Sequence, residues 1–244
     1  MHFTYDKLIL FGDSITQGAF QPDFCFTLGN ALQGDYIRKF DVLNRGFGGY
    51  NSRWGKEVLP EILATESKNA TIKLVVIFFG TNDSKGNEQG VSLEEYKNNL
   101  LFMVKLCEKY NTKAIVVGPA VYSAALGHAS DFASIEGHLK YSDAAKEVAE
   151  NCNVPFVDLW HAFASYLGKT EEEMVKSPAD MSELLVDGAH FAPTGYKIFH
   201  QILTTTINTA FPELAKEQVR ERLAPWDEID NQKIKKSIFK YESF

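Results

Sequence analysis

Short runs of continuous apolar residues alternate along the chain with longer stretches in which apolar positions recur every three or four residues. The short runs are Lys7–Phe11 (KLILF), Phe40–Leu43 (FDVL), Ile72–Phe79 (IKLVVIFF), Ala114–Val117 (AIVV) and Val154–Val157 (VPFV). Continuous rather than alternating apolarity predicts strands covered on both faces, as in a parallel sheet. The periodic stretches predict helices over Phe26–Lys39, Ser52–Leu63, Leu93–Tyr110, Ile135–Asn151 and Pro193–Ala210. In the third of these, Leu93, Tyr96, Leu100, Met103, Val104 and Cys107 share one face, and Ser92 with Glu95 has the spacing of a capping box. Pro193 suits the first turn of the last helix. Strand–helix alternation with right-handed crossovers predicts an α/β fold with a doubly wound, mostly parallel five-stranded sheet.

The pattern changes after Phe211-Pro212. Residues 213–244 carry both charge signs and scattered aromatic or aliphatic residues, Trp226, Ile229, Ile234, Phe239 and Tyr241. The expected division is a catalytic-sized domain over residues 1–212 and a C-terminal tail over 213–244. That tail packs on the domain or on a second subunit, which would make a homodimer.

Composition narrows the partners. A chain of 244 residues, 45% hydrophobic and 13% aromatic, suits one α/β domain. Its net charge of −7 offers no broad attraction to a phosphate backbone, so nucleic acid is not an expected partner. The start, MHFTYDKLILFGDS, lacks the basic region, apolar stretch and cleavage site of a secretory signal, and no run has the length of a membrane span. A cytoplasmic location is therefore expected, with Cys25, Cys107 and Cys152 as reduced thiols.

Candidate chemistry lies at one rim. In open α/β sheets ligands sit beyond the carboxyl ends of the strands. Gly12-Asp13-Ser14 follows the first strand, Asn44–Ser52 (NRGFGGYNS) the second, and Gly80–Asp83 (GTND) the third, while Asp187–His190 (DGAH) precedes the final helix. Ser14 reads either as a helix cap or as a nucleophile, its helical turn aiming backbone N–H groups at an oxyanion. Asp187 and His190, three apart, read as a loop pair or as a carboxylate that orients a basic imidazole. Gly49 permits a turn, or brings a backbone N–H close to a ligand. Asn82 forms an Asx turn, or donates its amide to the same oxyanion. The order Ser…Asp…His without a Gly-x-Ser-x-Gly elbow speaks against an α/β-hydrolase arrangement. His128, His138, His161 and His200 show no metal-ligand spacing, so neither a metal nor a nucleotide cofactor is expected.

At these residues the chain resembles the GDSL, or SGNH, hydrolases. Ser14 matches the first block (FGDSIT), Gly49 the second, Asn82 the third, and His190 with Asp187 the last (DGAHF). The segments RGFGGYNSRW, VLPEIL, DGAHFAPTGYKIFH and LAPWDEI are similar to those of the isoamyl-acetate-hydrolysing esterases of yeasts. The resemblance implies a three-layer, flavodoxin-like α/β/α sheet and a cofactor-free serine esterase that forms an acetyl-enzyme from short esters. It implies Ser14, Asp187 and His190 as catalytic residues, with the Ser14 and Gly49 amides and the Asn82 side chain as the oxyanion hole. Asp13 is structural on the same grounds. Phe47, Tyr50, Trp54 and Phe191 are the candidates to line the alcohol side, with ordinary packing as the alternative. The rival readings are a lysophospholipase or thioesterase acting on longer acyl chains, a carbohydrate deacetylase, and a non-catalytic binding protein on the same fold.

Overall fold

The computed structural model describes residues 3–128 and 132–241. The strands are β1 (Asp6–Gly12), β2 (Phe40–Gly46), β3 (Ile72–Phe78), β4 (Lys113–Val117) and β5 (Phe156–Val157). They form one sheet in the order β2-β1-β3-β4-β5, with each neighbouring pair parallel. The helices are α1 (Ser14–Gln17), α2 (Leu28–Asp35), α3 (Ser52–Glu66), α4 (Leu93–Lys109), α5 (Ile135–Cys152), α6 (Leu159–Tyr166), α7 (Glu171–Lys176), α8 (Pro193–Ala210) and α9 (Ile234–Ile238).

The strands are apolar throughout because helices cover both faces. Leu8, Leu10, Leu74, Val76, Phe78, Ile115 and Val117 pack under α2, α6 and α8. The alternate residues Ile9, Phe11, Val75, Ile77, Ala114 and Val116 pack under α3, α4 and α5. The result is the doubly wound parallel sheet that the pattern predicts, in the three-layer, flavodoxin-like form that the resemblance implies. Its strand order reverses between β1 and β3, so the switch point where such folds bind ligands lies at the carboxyl ends of those two strands.

Side-chain caps fix where the helices begin. Asn51 accepts from the Trp54 amide to start α3, Ser92 from Glu95 to start α4, and Ser134 from Gly137 to start α5. The Ser92 cap forms as expected, but Glu95 turns away to make a bidentate pair with Arg53. Two elements differ from the sequence reading for clear reasons. Helix α2 is shorter than Phe26–Lys39, because the chain turns through Arg38 at φ 62° to enter β2. Strand β5 starts only at Phe156, after Pro155, which has no N–H for the ladder.

The described part of the tail lies against this domain, while residues 242–244 fall outside the described residues. Tyr36 Oη donates to the Leu214 carbonyl, the Arg38 guanidinium to those of Leu223 and Ala224, and Lys216 pairs with Asp35. Among the described residues no helix is long and apolar enough to cross a membrane.

Candidate active site

Strand β1 ends at Gly12, and the next residue decides how the chain turns. Asp13 is fully buried, and its Oδ1 accepts the Ile15 amide at 2.9 Å, so Asp13 is the cap of α1. Ser14 is thereby released from capping. The α1 turn is only four residues long, so what it offers is the Ser14 amide itself more than a helix dipole. No acceptor for that amide is found among the described residues.

The loop before α8 brings the other half of the site. Asp187 Oδ1 accepts the amides of Ala189 (2.9 Å) and His190 (2.8 Å), which folds the segment into an Asx turn. The second oxygen, Oδ2, lies 2.7 Å from His190 Nδ1, and His190 Nε2 lies 2.8 Å from Ser14 Oγ. Partial burial works against ionisation of Asp187, but the two amides and the imidazole outweigh it and hold its pKa below the ordinary carboxylate value. A carboxylate in this position fixes the Nδ1–H tautomer, which leaves the Nε2 lone pair for the serine proton.

The third component is a pair of loops sewn together. Asn82 Nδ2 donates to the Tyr50 carbonyl at 2.8 Å, and both Asp83 oxygens accept the Ser52 amide at 2.9 and 3.1 Å. Gln89 closes the same seam: its Nε2 donates to the Gly49 carbonyl and its own carbonyl accepts Asn51 Nδ2. Asn82 spends one amide hydrogen on Tyr50 and keeps a second. Gly49 sits at φ +80°, a region that other L-residues avoid, and among the described residues its amide has no acceptor. Gln17 ties the serine turn to these loops, since its Oε1 accepts the Gly48 amide at 2.7 Å. A Cβ on Gly46 would fall 2.0 Å from the Gln17 nitrogen, so only glycine allows that approach.

Of the aromatic candidates, Phe47 and Tyr50 stack at 5.2 Å, and Tyr50 meets the half-exposed Trp54 edge-on at 5.7 Å. They form a ladder rooted on Phe11 that climbs beside the Asn82–Tyr50 bond. Phe191 differs. It is 1% exposed and packs on Phe78, Phe163 and Tyr196, so it belongs to the core and does not line an open alcohol side. The antiparallel bridge from Leu185 to Phe191 turns its ring inward while His190, one residue earlier, faces out.

Sequence reasoning passed over Gln17, Gln89 and Asp83. Their contacts reach 31–40 residues away, and nothing local to a loop glutamine signals such a reach. Of the other histidines, His200 pairs with Asp35 and His161 with Asp158 and Glu171, while His138 is buried with its Nδ1 2.8 Å from the Ala120 carbonyl oxygen. A larger cavity of about 970 Å³ opens at the opposite end of the sheet, beneath the tail. On its wall Lys73 pairs with Asp6 and Lys113 with Glu213, and burial raises the pKa of the Cys152 thiol. The serine–imidazole contact lies at the other rim.

A serine held against an imidazole backed by a carboxylate is an arrangement that acyl-transferring hydrolases use. Residues 10–198 match the model of the GDSL-like lipase/acylhydrolase family, and the chain belongs to that family. It is similar to the isoamyl acetate-hydrolyzing esterase of Saccharomyces cerevisiae, with 37% identity over 92% of this chain and 95% of that one. It is likewise similar to the human isoamyl acetate-hydrolyzing esterase 1 homolog, with 32% identity over 78% of this chain and 77% of that one. Among solved structures, the lipase/acylhydrolase from Enterococcus faecalis superposes with a TM-score of 0.67 at 23% identity, covering 90% of this chain and all of that one. An acetylxylan esterase from Geobacillus stearothermophilus superposes at 0.64 with 23% identity, covering 85% and 96%. These two likenesses are of fold. The chain is thus a carboxylic ester hydrolase.

Proposed function

We propose that the protein is a serine esterase that hydrolyses short acetate esters such as isoamyl acetate through an acetyl-enzyme. The observation that carries this reading is His190, which lies 2.8 Å from Ser14 Oγ on one side and 2.7 Å from Asp187 on the other. In the first step His190 Nε2 takes the Ser14 proton as Oγ bonds to the ester carbonyl carbon. The Ser14 and Gly49 amides and the free Asn82 N–H hold the oxyanion. The ester C–O bond then breaks, and the imidazolium proton passes to the departing alcohol. In the second step His190 takes a proton from water, whose oxygen bonds to the acetyl carbon. Collapse releases acetic acid and returns the proton to Ser14 Oγ.

The choice of acetate and of a short branched alcohol is supported by what the relatives of more than 30% identity are named for hydrolysing. The Phe47–Tyr50–Trp54 ladder supports an apolar face for the alcohol. A profile of kcat/KM over acetyl to decanoyl p-nitrophenyl esters, and over methyl to octyl acetates, tests it. A maximum at acetyl with a four- or five-carbon alcohol is expected. A rise toward decanoyl would replace this reading with a lysophospholipase or thioesterase.

A further inference from the structure

Three separate segments supply the oxyanion donors, so their mutual placement matters as much as the conformation of each. Ser14 stands on α1, Gly49 on the loop after β2, and Asn82 on the loop after β3. The Gly49 segment is a β-turn. The Tyr50 amide donates to the Phe47 carbonyl at 3.0 Å, and Gly49 takes φ +80° at the third position. That bond is internal, so it shapes the turn without fixing where the turn stands relative to Ser14 and Asn82. The chain is fastened on either side, by the Phe47 amide to the Gly12 carbonyl and by the Tyr50 carbonyl to Asn82. At the apex, among the described residues, only two side chains hydrogen-bond Gly48 and Gly49, and both are glutamines.

The two glutamines work with opposite polarity. The Gly48 N–H can only donate, so Gln17 turns its amide oxygen to it, at 2.7 Å. The Gly49 carbonyl can only accept, so Gln89 turns its NH2 to it, at 2.8 Å. Lys85 Nζ, a donor 3.2 Å from Gln89 Oε1, favours the same orientation. These bonds grip the peptide before and the peptide after the one whose N–H is the Gly49 amide. Each also joins the turn to a segment carrying another donor, since Gln17 shares α1 with Ser14 and Gln89 shares the β3–α4 loop with Asn82. We propose that Gln17 and Gln89 are positioning residues of the oxyanion hole, an acceptor and a donor that together hold the Gly49 amide in register with Ser14 and Asn82. A peptide between two glycines meets little steric resistance to turning, so without this clasp the N–H faces the oxyanion only part of the time. The cost falls on kcat, because the oxyanion forms in the transition state and not in the bound ester. The inference rests on the reading of Gly49 as an oxyanion donor in the esterase proposed above.

The test is p-nitrophenyl acetate hydrolysis, with kcat and KM separated, in leucine and glutamate variants at both positions. Leucine removes either hydrogen bond. Glutamate adds the same charge at both sites, but it keeps the acceptor that Gln17 supplies and lacks the donor that Gln89 supplies. Gln17→Leu, Gln89→Leu and Gln89→Glu should each lower kcat about tenfold, the worth of one hydrogen bond, with KM little changed. Gln17→Glu should recover most of that loss. In a Gly49→Ala background, where the amide is already displaced, Gln89→Leu should cost less than about twofold more. Gln17 is exposed, so its two variants decide alone if those of Gln89 do not fold. Wild-type kcat in both leucine variants, losses confined to KM, equal losses in Gln17→Leu and Gln17→Glu, or an undiminished loss over Gly49→Ala would each overturn the clasp and leave the esterase reading intact. No turnover by the wild-type protein removes that reading, and the clasp falls with it.

Discussion

Asp187 holds His190 twice, through its Oδ1 to the backbone amide at 2.8 Å and through its Oδ2 to the ring Nδ1 at 2.7 Å. One carboxylate therefore sets both the turn that carries the imidazole and the tautomer the imidazole adopts. Asp187→Asn separates the two roles, because the amide oxygen can still accept the backbone N–H groups while its NH2 opposes an Nδ1–H. The variant should fold and lose kcat by about 10⁴-fold. Ester hydrolysis beside a circular dichroism melting curve checks it. Near-normal turnover in a folded variant would remove Asp187 from the mechanism.

Asn82 is anchored by one N–H and acts, in this account, with the other. Asn82→Ala should lower kcat by about 10²–10³-fold with little change in KM, the loss expected for one oxyanion donor. Because the same substitution cuts the Tyr50 bond, Asn82→Asp is the companion variant. It keeps the size of the side chain but places negative charge at the oxyanion, so its loss of kcat should be at least as great. A change confined to KM in both would mark Asn82 as a substrate-positioning residue.

Gly49 should tolerate no side chain for conformational reasons. A Cβ there would meet only Gln89 Nε2 at 3.5 Å, so space is not the obstacle, but φ +80° is. Gly49→Ala should therefore lower kcat by swinging the amide away, while melting falls by only a few degrees, as one strained residue costs about 1–2 kcal/mol. Full activity in Gly49→Ala would show that this amide does not serve the oxyanion.

Asp13 should make stability depend on pH. Burial is the main cause that raises its pKa from 3.8 to about 7, helped by the charge of Asp83 and opposed by the Ile15 amide. A folded-state pKa above the unfolded value means that the fold binds the extra proton. The carboxylic acid is tolerated at low pH, and stability is lost as pH rises from about 4 through about 7. Asp13→Asn removes that titration and keeps an oxygen to cap Ile15. The stability of the variant relative to wild type should grow by up to about 4 kcal/mol between pH 4 and pH 8, read from urea unfolding midpoints. Parallel pH profiles would mean that Asp13 is ionised in the fold at all these values.

Much of this was legible in one dimension. The five strands stand where continuous apolar runs predict them, because burial on both faces leaves no polar alternation to confuse with a surface strand. The segments carrying Ser14, Gly49 and Asn82 were legible because glycine and polar residues directly after an apolar strand mark the sheet rim, whereas Asp187 and His190 follow no strand and stood out by their spacing before the last helix and by the family resemblance. What stayed hidden depends on contacts distant in sequence. Gln17 and Gln89 support the glycine loop from 31 and 40 residues away. Phe191 looks like a pocket residue beside His190, until a bridge to Leu185 turns it into the core. Helices α6 and α7 are short, and α6 carries the fully buried Trp160, so neither shows the long one-sided stripe that marks α4.

The central claim is that Ser14 Oγ bonds covalently to the acyl carbon, and its most direct measurement is covalent capture. The protein is treated with diethyl p-nitrophenyl phosphate, and intact-mass and peptide mass spectrometry follow, alongside Ser14→Ala. One diethylphosphoryl group on Ser14, lost activity in proportion to labelling, and neither label nor turnover in a folded Ser14→Ala variant are the predicted results. A label on another residue, or substantial p-nitrophenyl acetate turnover by Ser14→Ala, would contradict the account.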